Sequence, residues 1–263
     1  MITFSCEDIN ENTLCYRFHT HDSSNALTLP PIIAHCKNVL CHHFELHIVD
    51  TICAYNTLVI IYNMVSIEHK QLATLANQLI QQTLDTTQNH TIQNSAVQNN
   101  KLNGVIDNIN HTTKNTTTHY IPTYYGPECG WDLQRIAELN QCSMDYIIQQ
   151  HTTTPYTVCA MGFAPGFAYC GFVDETISCP RLDTPRRNVT AGSVGIADNQ
   201  TGIYPVTSPG GWNIIGRTQF TTLQKEEMRG RVDMDVTSTI NVGDIMIFHA
   251  ISRDVFVSQG GKL

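Results

Sequence analysis

The stretch from Met161 to Arg217 decides the fold of this chain. It carries three segments dense in glycine and proline: Met161-Gly-Phe-Ala-Pro-Gly-Phe-Ala-Tyr169, Ala191-Gly-Ser-Val-Gly-Ile196 and Gln200-Thr-Gly-Ile-Tyr-Pro-Val-Thr-Ser-Pro-Gly-Gly-Trp212. Helix interiors do not tolerate glycine and proline at this density, which instead marks tight turns and close approaches of the backbone. The stretch therefore predicts a β-barrel with many corners, and its turns are expected to form the rim of a pocket.

Short strand patterns continue on both sides of this stretch. They cover residues 156–161, 193–197, 202–206, 212–216, 220–223 and 245–249, and two short helical segments precede them between residues 130 and 151. Many short strands separated by turn signals are typical of a sandwich or barrel. Residues 126–263 are therefore predicted to form a β-barrel domain.

The first half of the chain has a different order of elements. Residues 1–18 predict a strand with a turn, Pro30-Pro31 begins a helix, 46–55 and 57–62 predict strands, and a second helix reaches about residue 82. With a last strand at 119–125, the order β-α-β-β-α-β is that of a ferredoxin-like split βαβ unit. The fold class is thus α+β, with a ferredoxin-like N-terminal domain at 1–82 closed by strand 119–125. An open α+β sandwich is the alternative.

Residues 83–118 interrupt the pattern. Thr, Asn and Gln dominate them, and apolar residues are too sparse to build a core. We expect a poorly ordered insertion, with a weak helix at about 102–109, and we attribute the glycosylation sequons at Asn89, Asn110 and Asn115 to composition.

Composition excludes several classes of function. The chain has 263 residues and a formal net charge of −8, which argues against nucleic acid or an anionic membrane as the main partner. The N-terminus does not resemble a signal peptide and no apolar run is long enough to span a bilayer, so a cytoplasmic protein is expected.

The 10 cysteines are scattered without a CxxC pair. They predict buried thiols, with no disulfides and no metal site.

Several catalytic signatures are missing. The chain has no GxxxxGK[ST] nucleotide-binding loop, no GxSxG nucleophile elbow and no Met-Lys-Met biotin attachment sequence. An independent hydrolase or ligase is therefore not indicated.

A set of polar residues within the glycine-rich segments predicts a binding site. Arg181 and Arg186, each after a proline, can form bidentate contacts to a carboxylate or phosphate. The turns carry groups that can fix a small polar ligand, and consecutive backbone N–H groups that can bind an oxyanion; these residues are Ser193, Gln200, Thr201, Tyr204, Ser208, Gly210, Gly211 and Trp212. His151 is the candidate for proton transfer near neutral pH.

Each of these residues also has a purely structural interpretation. The arginines can bridge surface acids, the glycines can simply turn a strand, and His151 can end a helix, where its charge suits the dipole. Their concentration in a stretch of about sixty residues favours a site.

The region from Ile121 to Ala250 resembles the B-subunit family of 5-oxoprolinase, also described as the kinase-inhibitor KipI family and as allophanate hydrolase subunit 1. The residues that carry the resemblance are Tyr125-Gly126, Asp132-Leu133, His151-Thr152, Tyr156-Thr-Val158, Gly162-Phe-x-Pro-Gly-Phe-x-Tyr169, Pro180-Arg181, Pro185-Arg186, Ala191-Gly-Ser-Val-Gly-Ile196, Gln200-Thr-Gly-Ile-Tyr-Pro205, Ser208-Pro-Gly-Gly-Trp212 and Ile215-Gly-Arg217. Over residues 1–82 the resemblance rests mainly on the order of elements.

The resemblance implies a cyclophilin-like β-barrel after the ferredoxin-like domain. It also implies one component of an ATP-dependent 5-oxoprolinase complex, which opens 5-oxoproline to glutamate with two partner subunits: a cyclophilin-like one, designated C, and another designated A. Such a chain would be inactive by itself, and the ATP site would be shared with, or supplied by, these partners. The alternatives within the family are an inhibitor of a sensor histidine kinase and a part of a urea or allophanate carboxyltransferase. Ala168, Cys170 and Thr190 depart from the family pattern, which leaves room for a changed substrate.

Overall fold

The computed structural model describes residues 2–20, 27–94, 116–226 and 235–263. The chain divides into two compact units, Met1–Thr117 and Thr118–Leu263. In the part of the chain that the structure describes, no helix combines the length and the apolar character needed to cross a membrane.

The described residues of the first unit form an antiparallel sheet and two helices. In chain order, its elements are β1 (Ile2–Asn10), β2 (Thr13–Thr20), α1 (Leu29–His43), β3 (Ile48–Ala54), β4 (Thr57–Tyr62) and α2 (His69–Asn94). The strands pair in the order β1-β2-β4-β3.

The core of this unit follows from two periodicities. Every second residue of β4 is buried, so that Leu58, Ile60 and Tyr62 share one face of the sheet. The buried residues of α2 recur every four positions and line one side of the helix: Leu72, Ala76, Ile80 and Leu84. The helices and strands predicted for residues 30–82 are therefore confirmed.

Helix α2 corrects the prediction for residues 83–118. The helix continues to Asn94, and Thr83, Leu84 and Thr87 are buried on it. The Thr83 hydroxyl donates to the Leu79 carbonyl at 2.7 Å, which satisfies a polar group inside the packed surface. The insertion was therefore predicted to begin too early. Residues 95–115, including the predicted helix at 102–109 and two sequons, lie outside the described residues.

The strand expected to close the first unit belongs to the second one. This strand, β5 (Thr118–Tyr124), pairs with strands of the barrel, so the prediction that residues 119–125 complete the N-terminal sheet was wrong. The physical reason is that β1 pairs with β2 along its whole length, from Ile2 opposite Thr20 to Asn10 opposite Thr13. That edge of β2 is therefore already hydrogen-bonded.

The second unit contains a closed seven-stranded barrel. Its strands are β5, β6 (Tyr156–Met161), β7 (Ala168–Gly171), β9 (Ser193–Ala197), β10 (Gln200–Ile203), β12 (Asn213–Thr218) and β15 (Ile245–Ala250). They pair in the order β6-β15-β5-β12-β9-β10-β7, and β7 pairs back with β6.

The described part of the second unit also contains two small ribbons and three helices. One ribbon pairs β8 (Arg186–Val189) with β11 (Ser208–Gly210), and the other pairs β13 (Leu223–Glu226) with β14 (Asp235–Ser238). The helices are α3 (Leu133–Asn140), α4 (Met144–Thr153) and α5 (Arg253–Ser258), and Glu175–Ile177 forms a 3-10 turn. The predicted β-barrel is thereby confirmed.

Alternation along β9 separates the inside of the barrel from its outside. Val194 and Ile196 lie in the main core with Ile121 and Phe248. Ala197 belongs instead to a separate aromatic cluster of Phe167, Val189, Tyr204, Trp212 and Ile214. Because side chains alternate between the two faces of a strand, Ser193 points to the same outer face as Ala197.

We expect the Leu84→Ala variant to lower the free energy of unfolding by about 2–5 kcal/mol, because it leaves a cavity in the α2 interface. Urea unfolding followed by circular dichroism, with hydrogen exchange of the α2 amides, measures the effect. The control is Gln82→Ala, two residues earlier and exposed, for which a change below about 0.5 kcal/mol is expected. Equal effects of both substitutions would show that α2 does not pack beyond residue 82.

Candidate functional site

Asp132 connects the start of α3 to the barrel. It occupies the N-cap position of α3, yet its side chain makes no capping hydrogen bond. Instead, Asp132 Oδ2 accepts a hydrogen bond from the Ile214 backbone N–H at 2.6 Å, and the Asp132 N–H donates to the Ile214 carbonyl at 2.8 Å. The carboxylate is buried, so these bonds hold it in one place.

Arg186 is fixed by the second oxygen of the same carboxylate. Its Nη2 donates to Asp132 Oδ1 at 2.7 Å, and the guanidinium carbon lies 5.4 Å from the centroid of the Trp131 ring. Arg186 Nη1 is buried and has no hydrogen-bond partner among the described residues. One end of this guanidinium is thus anchored, and the other carries unused donors.

Arg217 places a second guanidinium over the same tryptophan. Its carbon lies 5.6 Å from the Trp131 ring centroid, and the residue is only 4% exposed. Arg217 Nη1 donates to the Lys262 carbonyl at 2.7 Å, whereas its Nε has no partner in the described ranges. Trp131 therefore contacts two arginines through cation–π interactions.

The β8–β11 ribbon brings polar turn residues to Arg186. Gly210 lies opposite Arg186, and Ser208 opposite Val189, in this antiparallel pair. The Ser208 hydroxyl is buried and lacks a hydrogen-bond partner within the described part of the chain. A side chain at Gly210 would collide with the Tyr204 hydroxyl, so glycine is required there for close packing.

The base of the ribbon is an aromatic cluster. Phe167 packs edge-on against Trp212 and Tyr204, with ring centroids 5.3 Å apart in both pairs. Burial raises the pKa of Tyr204, while a backbone hydrogen bond at Trp212 and the charges of Arg181 and Arg186 oppose that shift. Tyr204 is therefore a neutral hydroxyl group close to Arg186.

These residues form one group on the outer face of the barrel. We call the set Trp131, Asp132, Arg186, Ser193, Tyr204, Ser208, Gly210, Trp212 and Arg217 the outer-face cluster. Six of its members are residues that the sequence predicted for the site.

His151 lies on the other side of the barrel wall. It is fully buried on α4, with its ring next to Tyr125, Tyr156 and Phe248 in the main core. Tyr125 Oη lies 2.7 Å from Nδ1, and Thr201 Oγ1 lies 2.8 Å from Nε2.

The direction of these hydrogen bonds can be assigned. The Thr201 hydroxyl donates to the Gly195 carbonyl at 3.0 Å, so it accepts from Nε2–H of His151. Nδ1 then accepts from the Tyr125 hydroxyl. His151 is a neutral imidazole whose two nitrogens are both satisfied inside the protein.

The prediction that His151 transfers a proton is not supported by this geometry. Burial lowers its pKa to about 3, so the imidazole does not take up a proton near neutral pH. Thr201 pairs with Ile196 and shares the inner face with His151, so it also lies away from the outer-face cluster.

Three further predicted residues lie elsewhere or make structural contacts. Arg181 is 57% exposed, with its Nε 3.8 Å from the Asp198 carboxylate. Gln200 is half-buried on β10, opposite Ala197 and Gly171. The Gly211 carbonyl accepts from the Leu182 N–H at 2.8 Å. The structure thus favours Arg186 over Arg181 as the ligand-binding arginine.

Sequence reasoning did not assign Trp131, Asp132 or Arg217 to the site. Asp132 and Arg217 stood in the quoted motifs, but an aspartate before a helix is typical of an N-cap and an arginine in a strand carries no periodic signal. The rarity of tryptophan was the one sequence feature that could have pointed to Trp131. The chain has 2 tryptophans, and both belong to the outer-face cluster.

The described ranges contain no group of three or more His, Cys, Asp or Glu side chains placed to hold a metal ion. The chemistry available to the outer-face cluster is hydrogen bonding and charge recognition. Two guanidiniums with unused donors, next to neutral hydroxyl groups, suit a ligand that carries a carboxylate or phosphate.

We expect Asp132→Ala to lower the free energy of unfolding by roughly 3 kcal/mol, because it leaves the Arg186 charge and the Ile214 N–H without their partner. Tryptophan fluorescence during urea unfolding reports the change. Asp183→Ala, which removes an exposed carboxylate from the same region, is expected to be nearly neutral. A loss of the same size in both variants would contradict the anchoring role of Asp132.

We expect His151 to make stability fall as the pH is lowered from about 6.5 toward 4, because the unfolded chain binds a proton there and the folded chain does not. The contribution is about 1.4 kcal/mol per pH unit. It is measured as the difference in pH dependence between the wild type and His151→Gln. His249→Gln, at an exposed position, is the matched control for the removal of one imidazole. Titration of His151 near pH 6.5 in an NMR experiment would refute the assignment.

Comparison of the sequence with known proteins identifies the family of this chain. The model of the carboxyltransferase domain, subdomain C and D, matches residues 5–229. A protein of Bacillus subtilis (strain 168), named as the B subunit of 5-oxoprolinase, is 42% identical over 133 residues, which cover 51% of this chain and 52% of that protein. The protein of the same name from Haemophilus influenzae is 48% identical over 107 residues, 41% of this chain and 50% of that one. The chain therefore matches about half the length of these relatives.

Solved structures agree on the fold. The crystal structure of TTHA0988 superposes with a TM-score of 0.65 at 23% identity, over 91% of this chain and 39% of that one. The urea carboxylase of Kluyveromyces lactis gives a TM-score of 0.61 at 13% identity, over 97% of this chain and 22% of that one. Because the family model spans most of the sequence, the chain belongs to the family of carboxyltransferase domains, subdomain C and D.

Proposed function

We propose that this chain is the B subunit of an ATP-dependent 5-oxoprolinase, which opens 5-oxoproline to glutamate together with partner proteins. The observation that carries the proposal is the likeness to three proteins that bear this name, at 42%, 48% and 43% identity.

The outer-face cluster supplies the recognition that such a substrate needs. The substrate is a small cyclic amide with one carboxylate, and Arg186 offers a guanidinium whose orientation Asp132 fixes at 2.7 Å. Its unpartnered Nη1 and the unpartnered Ser208 hydroxyl are donors for carboxylate oxygens. Because Arg186 is held before the ligand arrives, little side-chain entropy is lost on binding.

The reacting amide needs stabilisation of a developing oxyanion and a group that moves a proton. We assign the first role to the backbone N–H groups of Gly210, at the end of β11, and of Gly211, directly after it. His151 is buried with a pKa of about 3, so we assign proton transfer to a partner protein. It follows that this chain is inactive by itself.

The partners are the cyclophilin-like C subunit of the complex and its A subunit. The sequence contains no GxxxxGK[ST] loop that would hold the phosphates of ATP. We therefore place the ATP site on the partners or across an interface with them, and no step assigned to this chain runs through ATP.

We also propose a fold family for each unit and a cytoplasmic location for the protein. We infer that the barrel is cyclophilin-like and that the first unit is a ferredoxin-like variant in which β1 takes the edge position of the closing strand. A cytoplasmic location is supported by the cysteines, since all ten lie in described residues as free thiols.

A carboxyltransferase is the second candidate, and the description of the matching family favours it. The outer-face cluster would then hold a carboxylate or carboxyphosphate-like group during transfer. This alternative requires a biotinylated partner, whereas the 5-oxoprolinase does not.

The test is an assay of glutamate formation from 5-oxoproline and ATP, with the chain combined with the proteins that co-purify from its native cell. We expect Arg186→Gln to reduce kcat/KM by about 10- to 150-fold, the loss that follows removal of a charged hydrogen bond. Arg187→Gln is the matched control, because it removes the same charge from the exposed neighbouring residue.

Equal kcat/KM values for the two variants would refute the role of Arg186. Full activity of the isolated chain would refute the shared site. A reconstituted complex that turns over only with a biotinylated carrier would establish the carboxyltransferase instead, and co-purification with a sensor histidine kinase alone would establish an inhibitor.

A further inference from the structure

Arg217 carries a charge that the described protein does not neutralise. The residue is 4% exposed, and none of the ion pairs among the described residues includes it. Among the described residues, its guanidinium contacts the Trp131 ring and donates to the Lys262 carbonyl at 2.7 Å. A buried charge without an opposite charge is costly, so an anion at this position would stabilise the protein.

Ser193 adds a second unsatisfied group beside Arg217. The two residues are direct partners across β9 and β12, so their side chains stand on the same face about 5 Å apart at Cβ. The Ser193 hydroxyl is fully buried and has no hydrogen-bond partner among the described residues, and the same holds for Arg217 Nε. Two residues that are paired across neighbouring strands therefore each carry an unused donor.

The turn that precedes Ser193 requires a glycine. Gly192 has a φ of 81°, and a side chain there would meet the Thr218 carbonyl and approach Arg217 Cγ to 3.5 Å. Glycine is therefore required at this turn by its positive φ and by the close approach of the Thr218 carbonyl. Because the Lys262 carbonyl holds Nη1, the side chain is positioned without using Nε.

We propose that Arg217 and Ser193 form a binding site for a small oxyanion, either a carboxylate or a phosphate, on the outer face of the barrel. Arg217 Nε–H donates to one oxygen of the anion and the Ser193 hydroxyl donates to another. The planar guanidinium binds carboxylates and phosphates in the same way, so the geometry predicts an oxyanion ligand without indicating which molecule carries it.

The inference uses Arg217 and Ser193, and it does not depend on the reaction proposed for the chain. A site of this kind can hold the carboxylate of a substrate or a phosphate released by a partner. The two sources are distinguished by comparing anions.

The experiment is a titration of the purified full chain with inorganic phosphate, with acetate and with 5-oxoproline, each at constant ionic strength. Binding is followed by calorimetry and by the NMR signal of Arg217 Nε–H, which is assigned by its loss in Arg217→Lys. We expect saturable binding of at least one anion, accompanied by a shift of this signal. Tighter phosphate binding identifies a phosphate site, and tighter binding of acetate or 5-oxoproline identifies a carboxylate site.

Two variants and two controls make the result decisive. We expect Ser193→Ala, which removes one oxygen and leaves the fold intact, to weaken binding about tenfold, and Arg217→Lys to weaken it at least as much. Ser258→Ala and Arg253→Lys, at exposed positions on α5, should bind as the wild type does.

Absence of saturable binding for all three anions, or equal binding by Ser193→Ala and the wild type, would overturn the proposal. Saturable anion binding by the chain, together with no glutamate formation by its reconstituted complex, would leave this site standing while refuting the proposed function.

Discussion

The outer-face cluster depends on the carboxylate of Asp132. One of its oxygens accepts from the Ile214 N–H at 2.6 Å and the other from Arg186 at 2.7 Å, so a single side chain joins the start of α3, strand β12 and the β8–β11 ribbon. The Asp132 backbone adds a hydrogen bond to the Ile214 carbonyl. Without this anchor the ribbon would carry Arg186 as a flexible surface residue, and the site would lose its fixed donor.

The barrel wall explains why residues close in sequence separate in space. Gln200 and Thr201 are neighbours, yet Thr201 joins His151 in the core whereas Gln200 points outward with Ala197. The sequence showed which residue types gather between Met161 and Arg217, and it predicted a barrel from the spacing of turns. It could not show which residues face the inside of the barrel, because it does not reveal the bulge between Ile214 and Gly216. One extra residue at that bulge reverses the alternation of side chains along β12.

In the first unit, the sequence predicted the elements but not the pairing of the last strand. The elements of residues 30–82 follow from local periodicity, and the burial of Leu84 continues a spacing of four that the threonines and glutamines around it concealed. The partner of β5 is a long-range property. Its own sequence is compatible with either sheet, and the choice depends on β1, which occupies that edge of β2 in the structure.

The charge balance of the outer-face cluster bears on how it selects a ligand. It contains two guanidiniums and one carboxylate, so the cluster is positive within a chain whose formal net charge is −8. Such a chain does not attract anions over long distances, since charges farther apart than about 8–10 Å are screened at physiological salt. Recognition must then come from short contacts in a buried setting, where donors such as Arg217 Nε, Arg186 Nη1 and Ser193 Oγ are strong because water does not compete. The positions of these donors therefore determine which ligand the cluster selects. Asp132 and Trp131 hold the two arginines, so we expect displacement of either residue to alter specificity more than a change in surface charge would.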